Sequence, residues 1–297
     1  MHRPTSWPAS SGYREVPAGS VDREVRAGSG CCEVPAGSVG VEVRAGSGCR
    51  EELTGADGRK VWGGRELAAM TSPQILAHAA ADGVLVIPIG STEQHGPHLP
   101  LGTDADIALA VSRRLAERLP TTVVAPVISY GSSGEHAGFA GTLSIGQAAI
   151  ELVLLELGRS AGETYRRQVF VSAHGGNAGP AVRAVTQLRR ESRDVLLWMA
   201  SWDGDAHAGR TETALQLALH PDRVQVDQAA PGNLSPIREL LPELIAGGVI
   251  AVSPNGVLGD PTGATADEGE QLLTRLTDDL EAKVRAWTPP HGPLGQL

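Results

Sequence analysis

Residues 84–104 read VLVIPIGSTEQHGPHLPLGTD. The first six, VLVIPI, are a continuous apolar run rich in β-branched side chains, with no polar alternation. That pattern fits a strand buried on both faces, as in a parallel sheet covered by helices. The remainder is broken by prolines and glycines and carries Glu93, His95, His98 and Asp104, so it reads as the loop that leaves the strand.

Similar runs follow at TVVAPVI (122–128), QVFVSA (168–173), DVLLWMA (194–200) and GVIAVS (248–253). Between them lie amphipathic patterns at 107–119, 148–165 and 180–191, and a last one, DEGEQLLTRLTDDLEAKVRAW, at 267–287. A further helix is expected over Arg65–Ala81, with Thr71-Ser72-Pro73 as a break or restart. Strands alternating with helices predict an α/β fold with a mainly parallel sheet covered on both faces.

The chain of 297 residues, 41% hydrophobic, can build a sizeable core, but only 3% is aromatic, so aliphatic side chains must fill it. A net charge of −9 argues against nucleic acid or an anionic membrane as partner. No apolar run reaches the ~18–20 residues of a membrane span, and MHRPTSWPASSGYREV lacks the apolar core of a signal peptide. Cys31, Cys32 and Cys49 all fall in one N-terminal segment, so the fold does not depend on disulfides and a cytoplasmic location is expected. That segment repeats every nine residues: EVPAGSVDR (15–23), EVRAGSGCC, EVPAGSVGV and EVRAGSGCR. A nine-residue period suggests β-helix rungs, but each unit offers only a valine or two, so residues 1–60 are expected to form a disordered extension. The folded domain is placed at 64–287 and a flexible tail at 288–297.

In open α/β sheets, ligands bind beyond the carboxyl ends of the strands. GSTEQHGPHLPLGTD, HGGN (174–177) and SWDGDAHAGRTET (201–213) all fall there. In extended backbone, Glu93 and His95 share a side, and Asp104 can return to the same pocket at the start of the next helix. Neutral imidazole with carboxylate oxygen suits Zn, Mn or Fe(II) rather than Ca. Two such ions could activate a water and polarise a carbonyl. Each residue also has a plainer reading: Glu93 as a cap or ion pair, HGGN as a tight turn, Glu212 as a first-turn carboxylate favoured by the helix dipole. Convergence on one sheet edge favours the site. His98 keeps a structural reading, because it points away from the Glu93–His95 pair.

With GSTEQHGPHLPLGTD, GEHAGFAGTLSIG (134–146), VFVSAHGGN (169–177) and DAHAGRTETALQLALHP (205–221), the sequence resembles the creatininase family of amidohydrolases from about Leu76 to Trp287. The resemblance implies a three-layer α/β/α domain, a two-metal centre, hydrolysis of C–N bonds and a homo-oligomer. It places metal ligands on Glu93, His95, Asp104 (bridging) and His174. Where creatininase has a further glutamate ligand and a neighbouring tyrosine, this chain has Gly176 and Gly175. Both departures argue against creatinine. Many family members with HGGN keep a glutamate in the later HAG…ET motif, so the resemblance implies the fifth ligand at Glu212. His207 is the expected proton donor to the leaving nitrogen, with Asp205 orienting its ring at the substrate. His136 is expected to contact the substrate. Within the family, GEHAGFAGTLSIG, DAHAGRTET and residues 240–270 look like the branch that removes a C-terminal Val-Tyr dipeptide from a modified precursor peptide. Alternatives are another family amidohydrolase acting on a small cyclic amide or formamide, and a non-catalytic metal-binding scaffold.

Overall fold

In a computed structural model, the described residues are 65–287. The repeat and the tail lie outside them. Five strands form one parallel sheet: β1 (Arg65–Glu66), β2 (Val84–Ile89), β3 (Thr122–Val124), β4 (Arg167–Ser172) and β5 (Asp194–Met199), in the order β1-β3-β2-β4-β5. The register of β2 on β4 runs unbroken from Val84↔Arg167 to Ile89↔Ser172. All six residues of β2 are buried, as its unalternating sequence requires.

Successive side chains point to opposite faces, and each face has its own helical layer. Val84, Val86, Val169, Val171 and Trp198 pack against α2 (Thr103–Arg118), α5 (Arg210–Leu219) and α8 (Ala266–Ala286), through Ile107, Leu215, Leu273 and Leu280. Leu85, Ile87, Ile89, Phe170 and Val195 pack against α3 (Gly146–Ala161) and α4 (Ala178–Arg190), through Ile150, Leu154, Ala181 and Leu188. Burying one such aliphatic side chain contributes about 1.5–3 kcal/mol, so the sheet interior anchors the strand ends that hold the site. No helix among the described residues is long and apolar enough to cross a membrane.

Three elements differ from the sequence reading. GVIAVS is not a strand: α6 (Ile237–Gly247) runs into α7 (Val249–Val252), and Val249 and Val252 pack on Leu240. A six-residue apolar run cannot by itself distinguish a strand from a buried helical turn. Gly248 makes the junction at φ 71°, a left-handed conformation that disfavours a side chain. The helix expected from Arg65 begins only at α1 (Ser72–Ala80), where Thr71 and Gln74 form a capping box. Before it, Arg65 and Glu66 pair with Val123 and Val124 at the sheet edge. In TVVAPVI the regular strand stops at Val124, before Pro126, and Ile128 rejoins through a single bridge to Ile89.

Candidate metal centre

β2, β4 and β5 are neighbours, and the loops leaving their carboxyl ends meet. The β2 loop carries Glu93 and His95, each fully buried, and Asp104 follows in the first turn of α2. The loop after β4 brings His174, and the segment between β5 and α5 brings His207, with Glu212 in the first turn of α5. His136 enters from a short 3-10 turn, Gly134–His136. Backbone bonds between His207 and Leu258 tie the His207 segment to the loop before α8. Ala208 takes a left-handed φ of 51°, and its N–H donates to Glu212 Oε2.

Three overlapping triads result: Glu93–Asp104–His174, His95–His207–Glu212 and Glu93–His136–His207. Asp104 presents Oδ1 to His95 Nε2 and Oδ2 to His174 Nδ1, each at 3.3 Å. Glu93 Oε1 lies 3.3 Å from both His174 Nδ1 and His136 Nε2, and Glu212 Oε2 lies 3.9 Å from His95 Nε2. The outward nitrogens are held by backbone. His95 Nδ1 is 3.2 Å from the Glu93 carbonyl and His174 Nε2 is 2.8 Å from the Ser132 carbonyl. A carbonyl only accepts, so both rings turn their other nitrogen to the centre.

The electrostatics are those of a site built for cations. Both oxygens of Glu93 and Oδ2 of Asp104 are buried without a hydrogen bond of good geometry. Orphaned buried carboxylate oxygens are costly unless a charge faces them. Burial works against a charged His95, but Asp104, Glu212 and Glu93 overcome it and raise the ring to about 10. His174 is likewise raised by Asp104 and Glu93 against its burial. Glu93 and Asp104 are held low by these imidazolium rings despite burial. Glu212 is pushed up instead, by its burial and by the charges of Asp104 and Glu93, against the pull of His95 and the Ala208 N–H. Three carboxyl groups thus share two protonated rings, and divalent ions would displace those protons. His136 and His207 are different: burial lowers His136 to about 4 and His207 well below its ordinary value, so both are neutral.

All five expected ligand residues converge here, together with His207 and His136. Asp205 does not join them. Its carboxylate accepts from the backbone N–H groups of Arg210 (2.7 Å) and Asp260 (3.2 Å). It therefore satisfies an orphan donor at the start of α5 rather than orienting His207. His98 is buried beside the centre but bonds Thr213 Oγ1 at 2.9 Å. Two residues that sequence reasoning passed over stand in the site. Gln94 lies between His136 and His207, and Glu135 Oε1 lies 3.7 Å from His174 Nε2. Glu135 is pushed up chiefly by burial. It fills the space beside Gly176, where an added Cβ would come within 2.4 Å of Glu135 Oε1 and 2.2 Å of the Ser132 carbonyl.

A histidine–carboxylate cluster at the carboxyl edge of a parallel sheet layered by helices on both faces has the ligand types and the position of a metallohydrolase centre. A family profile described as creatinine amidohydrolase matches residues 68–284, and the chain belongs to the creatininase family. It is 50% identical over 242 residues to a mycofactocin precursor peptide peptidase of Mycobacterium ulcerans (strain Agy99), covering 78% of this chain and 94% of that one. To a creatinine amidohydrolase of Pseudomonas putida it is 28% identical over 248 residues, 71% of this chain and 92% of that one. A mutant creatininase of Zn-Zn type superposes with a TM-score of 0.67 at 26% identity, covering 76% of this chain and 98% of that one. A manganese creatininase superposes with a TM-score of 0.64 at 26% identity, covering 76% and 100%. The chain is a metal-dependent hydrolase of C–N bonds.

Proposed function

We propose that two divalent ions, Zn, Fe or Mn, occupy the centre. Glu93, Asp104 and His174 would hold one, and His95, Asp104 and Glu212 the other. The buried oxygens of Glu93 and Asp104 without a hydrogen bond of good geometry carry this reading: the positive charge beside them is that of the His95 and His174 rings, and divalent ions would take the place of the protons on those rings. Ions so held supply an activated water and a polarised carbonyl.

The substrate is a peptide: the modified precursor peptide of mycofactocin maturation, cut before its C-terminal Val-Tyr unit. Support comes from the 50% identical relative, named a mycofactocin precursor peptide peptidase. The small residues at 175 and 176 agree with it. Gly175 has open space where a side chain would stand, leaving room for a peptide backbone at the His174 edge. In the cleavage, water adds to the amide carbonyl, the C–N bond breaks, and the products are a shortened peptide carboxylate and a dipeptide amine. His207, neutral and buried, takes a proton from the attacking water and returns it to the leaving nitrogen. His136 contacts the substrate with the nitrogen that faces Glu93. Asp205 acts only indirectly, by fixing the start of α5 that carries Glu212.

The enzyme is further proposed to be a cytoplasmic homo-oligomer. The absence of cysteine from 50–297 supports the compartment, and exposed Leu241 and Ile245 on α6 support an interface. Sedimentation velocity tests the assembly. The substrate is tested by mass spectrometry of the modified peptide after incubation with metal-loaded enzyme, with creatinine and a formamide as competing substrates.

A further inference from the structure

Gln94 is buried, uncharged and placed between two histidines of the centre. Its side-chain nitrogen has three acceptors within reach: His136 Nδ1 at 2.8 Å, the Gly256 carbonyl at 3.1 Å and His207 Nε2 at 3.1 Å. An amide has two N–H hydrogens, so one contact is not a bond from this group. The backbone decides which. His207 Nε2 is also 2.8 Å from the Gln94 carbonyl, which can only accept. His207 Nε2 therefore carries the hydrogen, and the two amide hydrogens go to His136 and Gly256. The amide orientation is fixed as well. Its oxygen accepts from the Gly96 N–H at 2.8 Å, and turning it over would set donor against donor at Gly96 and acceptor against acceptor at Gly256.

We propose that Gln94 is a positioning residue that fixes opposite faces of two histidines toward the centre. Its side-chain amide leaves His136 with a bare Nδ1 and its hydrogen on Nε2, which lies 3.3 Å from Glu93 Oε1. Its backbone carbonyl holds hydrogen on Nε2 of His207, so a neutral His207, with a single N–H, presents a bare Nδ1 that lies 3.9 Å from Glu93 Oε1. His136 thus offers the site a donor and His207 offers a lone pair. The catalytic consequence rests on the proposed role of His207: a bare Nδ1 receives the proton of the attacking water before passing it to the leaving nitrogen. One residue, through its main chain and its side chain, assigns different work to two chemically identical rings.

The test separates the two arms. Zinc-loaded protein with nitrogen-15 histidine is read by long-range nitrogen–proton correlation spectra, which distinguish the two tautomers. In the parent, both rings should carry hydrogen on Nε2. In Gln94→Glu, of nearly the same shape, a carboxylate faces His136 Nδ1, so that nitrogen should gain a hydrogen, while His207 stays unchanged because its partner is main chain. Turnover of the peptide should fall about 10–100-fold, the usual cost of removing a group that orients an active-site ring, with KM near the parent value. Hydrogen on His207 Nδ1 in the parent overturns the proposal, and so does an unchanged His136 in the variant. The parent spectrum decides alone if Gln94→Glu does not fold. Tautomers as described in a protein that leaves the peptide intact would sink the proposed substrate and leave the role of Gln94 standing.

Discussion

Asp104 Oδ2 stands 3.3 Å from His174 Nδ1, on the far side of a carboxylate whose other oxygen serves His95. A group shared in this way belongs to both halves of the centre. Asp104→Ala should therefore cost both ions, whereas Glu212→Ala should weaken mainly the one at His95. Elemental analysis at limiting metal checks this. Equal metal content in Glu212→Ala and the parent would remove Glu212 from the ligand set.

The protonation of the metal-free centre gives a pH dependence. His95 is raised to about 10 and His174 is raised as well, by the carboxylates that outweigh their burial. A raised pKa in the folded state contributes stability that is complete below the unfolded value of about 6.5 and is lost as pH climbs through the folded value. Metal-free protein should lose melting temperature between about pH 7 and 10, while metal-loaded protein should hold it. Metal affinity should rise over the same window, because only neutral imidazole coordinates. Calorimetry of both forms measures this, and a flat curve for the metal-free form would mean that the rings are already neutral.

The layered sheet was legible because β2, β4 and β5 are unbroken apolar runs, and their loop residues could be assigned to one edge by a general rule of parallel sheets. That rule gathered Glu93, His95, Asp104, His174 and Glu212 at one edge beside other polar residues; their choice as ligands, Glu212 above all, came from the family resemblance. What escaped has physical reasons. β1 is two residues long and exists only by pairing with β3. GVIAVS has the composition of a strand and the surroundings of a helix. Two-residue alternation sets Gln94 on the side opposite Glu93 and His95, but the loop is irregular there, and the long side chain reaches His136. Asp205 is two residues from His207, but the backbone N–H of Arg210 claims its carboxylate.

Gly176 stands where the family resemblance implies a glutamate, and its surroundings predict the effect of filling it. An alanine Cβ would sit 2.2 Å from the Ser132 carbonyl and 2.4 Å from His174 Nε2. Gly176→Ala should destabilise by roughly 1–3 kcal/mol, the range for overpacking, and loosen metal at His174. Gly176→Glu should do the same rather than supply a ligand. Thermal denaturation with metal analysis reads both, and tighter metal binding in Gly176→Glu would contradict the account.

His207 and His136 should separate kinetically. His207→Ala should retain metal at Glu93, Asp104 and His174 yet lose about 10²–10⁴ in turnover, as for removal of a proton-transfer group. His136→Ala should raise KM more than it lowers kcat, as for lost substrate contact. Steady-state kinetics on the peptide, with metal content measured in parallel, distinguishes them. A His207→Ala enzyme of parental turnover would show that the proton travels another way.

The reaction proposed for this metal centre is the cleavage of a peptide C–N bond. The direct measurement is mass spectrometry of the modified precursor peptide after incubation with enzyme reconstituted with zinc, manganese or iron, beside an Asp104→Ala control. Release of the C-terminal Val-Tyr fragment by the metal-loaded parent and not by the control is the predicted result. An intact peptide, together with rapid hydrolysis of creatinine or a formamide by the same preparation, would contradict it.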